Sequence, residues 1–249
     1  MPSEWREKAS DSHTDGVGSR HLAALDARDR QVAALAGYGR RMGRGKCPAL
    51  LVVDVTYDFC GPPGLSIAEA ITVQRRACGE DAWKAVSQIG RLLEVFRSRH
   101  LQVAYSKMRA PSDSGFDRGL WAAKNIRAQE DYALDGRDSD HRIVETVAPL
   151  PGEQVFAKNK PSMFFGTGLL SYLTVAQVDS VVVCGGATSG CVYATVIDAF
   201  SHNLKVTVID DACFDRLRVA HQVFLCDIDL KYGDVMTTDE LIEGLQHVD

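Results

Sequence analysis

Residues 181–195 read VVVCGGATSGCVYAT, and this stretch indicates the fold more clearly than any other part of the chain. Its run of valines is typical of a strand that is buried on both faces of a sheet. The small residues that follow predict a tight turn, and the pattern from about Cys191 to His202 predicts a helix. A buried strand, a turn and a helix in this order indicate one unit of a parallel α/β sheet.

Short apolar runs of the same kind recur along the chain, and longer helical patterns lie between them. Runs without polar alternation are typical of strands buried on both faces. We therefore predict the α/β class, with one doubly wound domain of Rossmann-like, three-layer form, about six parallel strands and helices on both faces. The last helix has a predicted cap at Thr238 and an apolar face. The predicted strands are 49–55, 101–105, 154–157, 178–184, 204–209 and 234–236, and the predicted helices include 83–99, 169–177, 191–202 and 238–246.

The beginning of the chain differs in composition from the rest. Residues 1 to about 45 are polar and charged, and a helical pattern runs from His21 to Ala36. We predict that residues 1–45 form an N-terminal arm that packs on a neighbouring subunit. Residues 46–249 are predicted to form the single catalytic domain, because this length and apolar content are enough for one sizeable core.

Composition narrows the classes of partner. The net charge is −5 and no long basic run occurs, so the electrostatic footprint for nucleic acid or an acidic membrane surface is missing. No apolar run approaches the roughly 20 residues that span a bilayer, and the polar N-terminus lacks a signal-peptide core. Seven cysteines without metal-ligand spacing indicate neither a disulfide framework nor a zinc site. We expect a cytoplasmic protein that binds a small molecule.

Three side chains with chemical potential follow three different predicted strands. Asp54 closes the first strand, Lys158 closes the third, and Cys191 follows the fourth. Because the carboxyl ends of parallel strands share one edge of the sheet, we expect the three side chains to converge. Taken singly, Asp54 also fits a helix cap and Lys158 a solvated lysine. Together, an acid, a cation and a thiol favour a catalytic site.

The predicted position of Cys191 at the start of a helix has its own consequence. The helix dipole and free backbone N–H groups there lower a thiol pKa, and the same N–H groups can hold an oxyanion. Two nucleotide-binding motifs fail here, since a phosphate-binding loop needs Lys after Gly190 and GxGxxG needs Gly in place of Ala187. A nucleotide-dependent oxidoreductase, which the sheet alone would permit, is therefore disfavoured.

The three residues lie within ordered motifs that resemble those of the isochorismatase-like cysteine hydrolases. The resemblance runs from about residue 38 to residue 245 and is carried by three motifs. These are Asp-x-x-x-x-Phe at 54–59, Lys-x-x-x-Ser-x-Phe at 158–164 and Gly-x-Thr-Ser-Gly-Cys-Val at 186–192. The implied fold is the same doubly wound sheet that the apolar runs predict.

The resemblance also implies a role for each residue. Cys191 would be the nucleophile, Asp54 the general base and acid, and Lys158 the group that holds both and supports charge in the transition state. Backbone N–H groups of Ala187 and Cys191 would form the oxyanion hole, and the Gly186–Ala187 peptide bond would be cis. The implied reaction is the cleavage of an amide or ureido C–N bond through a thioester, with release of ammonia.

Within the family, the sequence is most similar to the N-carbamoylsarcosine amidase and maleamate amidohydrolase group. Arg216 matches an arginine that binds substrate carboxylate in that group, and guanidinium recognises carboxylate in a bidentate manner. An ion pair with Asp211 or Asp215 is the structural alternative for Arg216. The resemblance therefore implies a small, carboxylate-bearing substrate. Further candidates for substrate contact are Thr188, Phe59, Trp121 and Phe165.

Other implications concern cofactors, assembly and departures from the family pattern. The Asp-x-His metal cluster of nicotinamidases is missing from 106–116, so no metal and no cofactor are expected. The family implies a homo-oligomer, either a dimer or a tetramer. Tyr193 and Met163 stand where the group commonly has Arg and Ala. A biuret, ureide or lactam hydrolase and a catalytically silent binding protein remain alternatives.

Overall fold

The structure is a computed structural model, and it describes residues 24–109, 120, 124 and 141–246. Its strands are β1 (Pro48–Val53), β2 (Gln102–Met108), β3 (Gln154–Lys158), β4 (Ser180–Gly186), β5 (Lys205–Phe214) and β6 (Asp234–Met236). Its helices are α1 (Ala27–Leu35), α2 (Tyr57–Cys60), α3 (Ile67–Val73), α4 (Glu80–Ser98), α5 (Leu169–Val175), α6 (Tyr193–Ser201), α7 (Arg218–Lys231) and α8 (Thr238–Gln246). Short turns of 3-10 helix at Glu145–Val147 and of π-helix at Thr188–Val192 complete the elements. Within these ranges no helix is long and apolar enough to cross a membrane.

The six strands form one parallel sheet in the order β3-β2-β1-β4-β5-β6. The predicted doubly wound fold is therefore confirmed. The strand order reverses between β1 and β4, and open α/β sheets place their sites beyond the carboxyl ends of the strands at such a point. At that edge Val53 is paired with Ser106 on one side and with Gly185 on the other.

The side chains of β1 divide the core into two layers. Leu50 and Val52 pack with α4 and α8 on one face of the sheet. Leu51 and Val53 pack with α5, α6 and α7 on the other face. Each fully buried aliphatic side chain stabilises the fold by about 1.5–3 kcal/mol. The first residue after β1 therefore follows a strand that is buried along its whole length.

Strand β3 is less buried than its sequence predicts. Among the strands that the structure describes, it lies at the edge of the sheet and pairs only with β2. Gln154 is exposed and Val155 keeps 40% of its surface accessible, while Lys158 at the end of the strand is buried. The prediction of burial on both faces is wrong for β3, because an apolar run does not reveal whether a second strand lies beside it.

The cap of α8 also differs from the prediction by one residue. Thr237 Oγ1 accepts a hydrogen bond from the Glu240 N–H at 3.2 Å, and the Glu240 carboxylate accepts one from the Thr237 N–H at 2.7 Å. These two bonds form a capping box, so Thr237 is the capping residue. Thr238 instead donates its N–H and its hydroxyl to Asp211 Oδ1, at 2.9 and 2.8 Å. This pair joins α8 to β5.

The segment before β1 is fixed to the α/β body by polar contacts. The N–H groups of Met42 and Gly43 donate to the Asp234 carboxylate at 2.9 and 2.8 Å, and Arg44 Nη2 donates to the Gly244 carbonyl at 2.7 Å. Helix α1 lies within the predicted helix at 21–36, and it has no buried residue. The boundary of the arm at residue 45 and its packing on another subunit stay predictions.

Candidate active site

Asp54 is placed at the carboxyl end of β1 by the backbone and by one hydroxyl group. Its φ is 49°, a left-handed conformation that Asp tolerates better than most residues. Its N–H donates to the Ser106 carbonyl at 3.2 Å, and its Oδ1 accepts a hydrogen bond from Ser106 Oγ at 2.7 Å. The carboxylate is fully buried. The hydrogen-bond partners of the carboxylate are therefore protein groups and not bulk water.

Lys158 ends β3 and reaches the same point from the edge of the sheet. Its Nζ lies 2.7 Å from Asp54 Oδ2 and 3.3 Å from Cys191 Sγ, and it donates to the Lys160 carbonyl at 3.3 Å. The side chain is buried. A solvated lysine is therefore excluded, and the cost of removing this charge from water is offset by the pair with Asp54. The predicted convergence of the three side chains is observed.

Cys191 lies in the tight turn that follows β4. The Gly186–Ala187 peptide bond is cis, as the family resemblance implies. Gly185 has a φ of 109°, and a Cβ atom there would lie 2.1 Å from the Val53 carbonyl oxygen. Any residue with a side chain would therefore collide with β1, and only glycine allows the turn to lie this close to the strand. The Ala187 carbonyl accepts N–H groups from Gly190 and Val192, at 2.9 and 3.2 Å. The turn brings the thiol against Lys158.

The protonation of Cys191 differs from the expectation based on its position near a helix start. Burial raises the pKa of the Cys191 thiol to about 12, although Lys158 lowers this pKa and Asp54 raises it further. Burial works to lower the pKa of Lys158, but its contacts with Asp54 and Cys191 raise this pKa above the ordinary value. Desolvation is thus the largest effect on the thiol, larger than that of the nearby ammonium group of Lys158. Burial therefore favours the protonated form of the Cys191 thiol, which lies next to the buried ion pair of Lys158 with Asp54.

Ser106 is a site residue that the sequence did not single out. It lies in β2 opposite Val53. Its hydroxyl donates a hydrogen bond to Asp54 Oδ1, whereas Lys158 contacts the other oxygen, Oδ2. Met108, two residues further along β2, has its sulfur 3.5 Å from Lys158 Nζ. A signal existed, because Ser106 is a polar residue at the carboxyl end of a predicted strand. Its partner could be known only from the pairing of β1 with β2.

The guanidinium of Arg216 is held by two groups. Its Nη2 donates to the Arg76 carbonyl, and its Cζ lies 5.3 Å from the centre of the Phe59 ring, which is itself buried. Its Nε is buried without a hydrogen-bond partner. No ion pair joins Arg216 to Asp211 or Asp215, two described residues whose carboxylates accept hydrogen bonds from other groups. The structural alternative for Arg216 is therefore not found.

The other predicted substrate contacts have different surroundings. Thr188 is fully buried, and its hydroxyl lies 3.2 Å from the Phe214 carbonyl and 2.8 Å from His221 Nδ1. Phe165 keeps 63% of its surface exposed. Trp121 lies outside the described residues. The roles of these three residues in substrate binding stay predictions.

The two departures from the family pattern are both occupied in packing within the chain. The Tyr193 hydroxyl donates to Asp227 Oδ2 at 2.8 Å, and its ring packs edge-on against Phe224 at 4.6 Å. Met163 is fully buried in the core, and its N–H donates to Thr195 Oγ1 at 3.0 Å. Over the described ranges, no group of three or more His, Cys, Asp or Glu side chains could hold a metal ion.

The fold and the site together place the chain among the α/β proteins that carry an acid, a cation and a thiol at the switch point of a doubly wound sheet. The isochorismatase domain matches residues 48–240. The chain therefore belongs to the isochorismatase family, and it is a hydrolase of that family.

Two relatives and one solved structure illustrate the similarity. The chain is 32% identical to maleamate amidohydrolase of Pseudomonas putida over 211 residues, which cover 85% of this chain and 92% of the relative. It is 30% identical to N-carbamoylsarcosine amidase of an Arthrobacter species, over 84% of this chain and 75% of the relative. A cysteine hydrolase from Pseudomonas syringae pv. phaseolicola has the same fold, with a TM-score of 0.71, 24% identity, and coverage of 84% of this chain and 97% of that one.

Proposed function

We propose that the chain is a cysteine-dependent amidohydrolase that cleaves the C–N bond of a small amide or ureido substrate and releases ammonia. The observation that carries the proposal is the buried contact of Lys158 Nζ with both Asp54 Oδ2, at 2.7 Å, and Cys191 Sγ, at 3.3 Å. The names of the two relatives support a C–N bond as the bond that is cleaved.

The first chemical step must remove a proton from Cys191, because burial keeps the thiol protonated. Asp54 accepts this proton as Sγ attacks the substrate carbonyl carbon. Lys158 contacts both groups and stabilises the negative charge that moves between them. The carbonyl oxygen becomes an oxyanion, and the backbone N–H groups of Ala187 and Cys191 donate to it.

The following steps return every proton. Asp54 gives its proton to the leaving nitrogen, the C–N bond breaks, ammonia departs, and the acyl group remains on Cys191 as a thioester. Asp54 then deprotonates a water molecule, whose oxygen attacks the thioester carbonyl. The C–S bond breaks and the proton returns to Sγ. The net reaction converts an amide and water into an acid and ammonia.

Arg216 is proposed to bind a carboxylate on the substrate. Its guanidinium is fixed by Phe59 and by the Arg76 carbonyl, and its buried Nε has no hydrogen-bond partner. Such an Nε–H can be satisfied by an anionic ligand, and a charge-assisted hydrogen bond is stronger than a neutral one. A small acid that carries an amide or ureido group fits this arrangement. Thr188, Phe59, Phe165 and Trp121 remain the proposed further contacts.

Ammonia release from a panel of substrates tests the proposal. The panel contains N-carbamoylsarcosine, maleamate, ureidoacrylate, biuret and nicotinamide, with wild type and Arg216→Ala assayed in parallel. We expect turnover of a carboxylate-bearing member, and we expect Arg216→Ala to raise its KM about tenfold to a hundredfold with a smaller effect on kcat. Turnover of biuret alone would favour a ureide hydrolase without a carboxylate site. Silence of the whole panel would favour a lactam hydrolase or a binding protein.

The Ser106→Ala variant should lower kcat by about tenfold to a hundredfold, because a hydrogen bond to a charged group is worth about 1.5–3 kcal/mol and Asp54 loses one. The measurement is steady-state ammonia release together with thermal melting. Ser201→Ala is the matched control, since its exposed hydroxyl bonds only the Ile197 carbonyl of its own helix. An unchanged kcat in Ser106→Ala would show that this hydroxyl does not position the base.

A further inference from the structure

We propose that a buried ion pair between Asp58 and Arg76 positions Arg216 and thereby sets the affinity for the substrate carboxylate. The inference rests on the proposed function, in which Arg216 binds that carboxylate. The polar partners of Asp58 do not include Asp54, Lys158 or Cys191, so the pair is proposed as a positioning element.

Asp58 collects three polar partners in a fully buried position. Its Oδ1 accepts a hydrogen bond from the Thr56 hydroxyl at 2.5 Å, and its Oδ2 accepts one from Arg76 Nη1 at 2.9 Å. His141 Nδ1 lies 3.2 Å from the same Oδ2. A buried carboxylate is costly unless it is paired and hydrogen-bonded, and here both of its oxygens have partners. The position of the Arg76 side chain is therefore strongly constrained.

The constraint on Arg76 is passed to Arg216 through the main chain. The Arg76 carbonyl accepts the Arg216 Nη2 hydrogen bond, while the Arg76 side chain is held by Asp58. The other support of the guanidinium is the Phe59 ring, and Phe59 follows Asp58 directly in α2. Both groups that hold Arg216 thus depend on the position of one buried carboxylate.

The charges in this region explain why an ion pair is suited to the task. In the part of the chain that the structure describes, no carboxylate lies within ion-pairing distance of Arg216, whereas Arg76 is neutralised by Asp58. The positive charge of Arg216 is therefore available to a ligand, while the charge of its neighbour Arg76 is balanced by Asp58. A guanidinium that is already oriented loses less conformational entropy when it binds an anion, which raises affinity.

The test compares a carboxylate-bearing substrate from the ammonia-release panel with the same molecule in which the carboxylate is a neutral amide. Asp58→Asn should raise the KM of the carboxylate-bearing substrate about tenfold, as expected for one weakened charge-assisted hydrogen bond. Its kcat, and kcat/KM for the neutral analogue, should change by less than about twofold. In the Arg216→Ala background, Asp58→Asn should have no further effect on KM, because residues that act through one another are not additive.

Two further variants keep the test decisive. Asp58→Asn removes the carboxylate that neutralises Arg76 and can fail to fold, so the double variant Asp58→Asn with Arg76→Met removes both charges together and should show the same rise in KM. Asp239→Asn removes an exposed ion pair with Arg91 and should leave both substrates unaffected. Thermal melting reports whether each variant is folded.

Equal losses of kcat/KM for the two substrates, or a rise in KM that adds to that of Arg216→Ala, would overturn the inference and leave a structural role for the pair. If Arg216→Ala itself affects both substrates equally, the proposed carboxylate site is wrong, and the inference falls with it. The two failures are distinguishable, because only the second concerns Arg216 alone.

Discussion

Replacing Cys191 with alanine should abolish ammonia release, with a loss in kcat of roughly 10⁴-fold or more, as is typical when a nucleophile acts together with its base. Asp54 and Lys158 remain in place in this variant, but no sulfur is available to form the thioester. The decrease should appear in kcat and not in KM, because in the proposed mechanism Cys191 forms its bond with the substrate only during the reaction. Steady-state ammonia release on any substrate that the wild type accepts is the measurement.

A second cysteine provides the matched control for this prediction. Cys47 is the one cysteine that is not buried, and its Sγ contacts the Ala176 carbonyl at 3.8 Å. It directly precedes β1, so the whole strand lies between it and Asp54. Cys47→Ala should keep wild-type kcat and KM. If Cys191→Ala retained more than about a tenth of the wild-type kcat, covalent catalysis by this sulfur would be excluded.

Replacing Asp54 with asparagine should have two opposite effects. Turnover should fall by roughly 10³-fold or more, because the variant loses the proposed general base. Alkylation of Cys191 by iodoacetamide should become faster than in wild type, because the negative charge of Asp54 raises the pKa of the thiol and Lys158 lowers it. Without Asp54, the ammonium group of Lys158 faces the sulfur alone, and the thiolate is favoured.

The alkylation experiment uses the Cys47→Ala background, so that the partly exposed thiol does not contribute. In wild type, a thiol pKa of about 12 predicts slow alkylation whose rate rises about tenfold per pH unit between about pH 7 and 9. Lys158→Met should change the rate in the opposite direction to Asp54→Asn and slow it further. Equal or slower alkylation in Asp54→Asn would show that this carboxylate does not control the protonation of Cys191.

Much of the fold follows from local pattern. Apolar runs located β1 to β5, because strands inside a parallel sheet require continuous apolar sequence, and the edge strand β3 carries such a run as well. The convergence of Asp54, Lys158 and Cys191 also followed, since parallel strands bring their carboxyl ends to one edge. Both features depend only on single segments and on the geometry that all parallel sheets share.

Features that depend on neighbours distant in the sequence were not predictable. The exposure of β3 depends on its place at the sheet edge, and the bond from Ser106 to Asp54 depends on the pairing of β1 with β2. The link from Asp58 through Arg76 to Arg216 joins three segments without any periodic signal. Partners across a fold are set by tertiary packing, which local propensity does not record.

The pKa of Cys191 also depends on tertiary packing and could not be predicted from the sequence. Sequence places the residue near a helix start, where a lowered thiol pKa is expected. In the structure the residue lies in a π turn, it is almost fully buried, and desolvation raises the pKa instead. Burial is a property of the whole fold. The nucleophile is therefore expected to be activated by Asp54 during the reaction and not to rest as a thiolate.

The mass of acid-quenched enzyme during turnover tests the central claim most directly, since the claim is that the acyl group of the substrate passes through Cys191. Wild type mixed with a substrate that releases ammonia should contain a fraction of protein heavier by the acyl group. The added mass should map to the peptide that contains Cys191 and should be missing from Cys191→Ala. Two results together would contradict covalent catalysis by Cys191. All of the protein would remain unmodified at saturating substrate, and added hydroxylamine would convert none of the product to a hydroxamate.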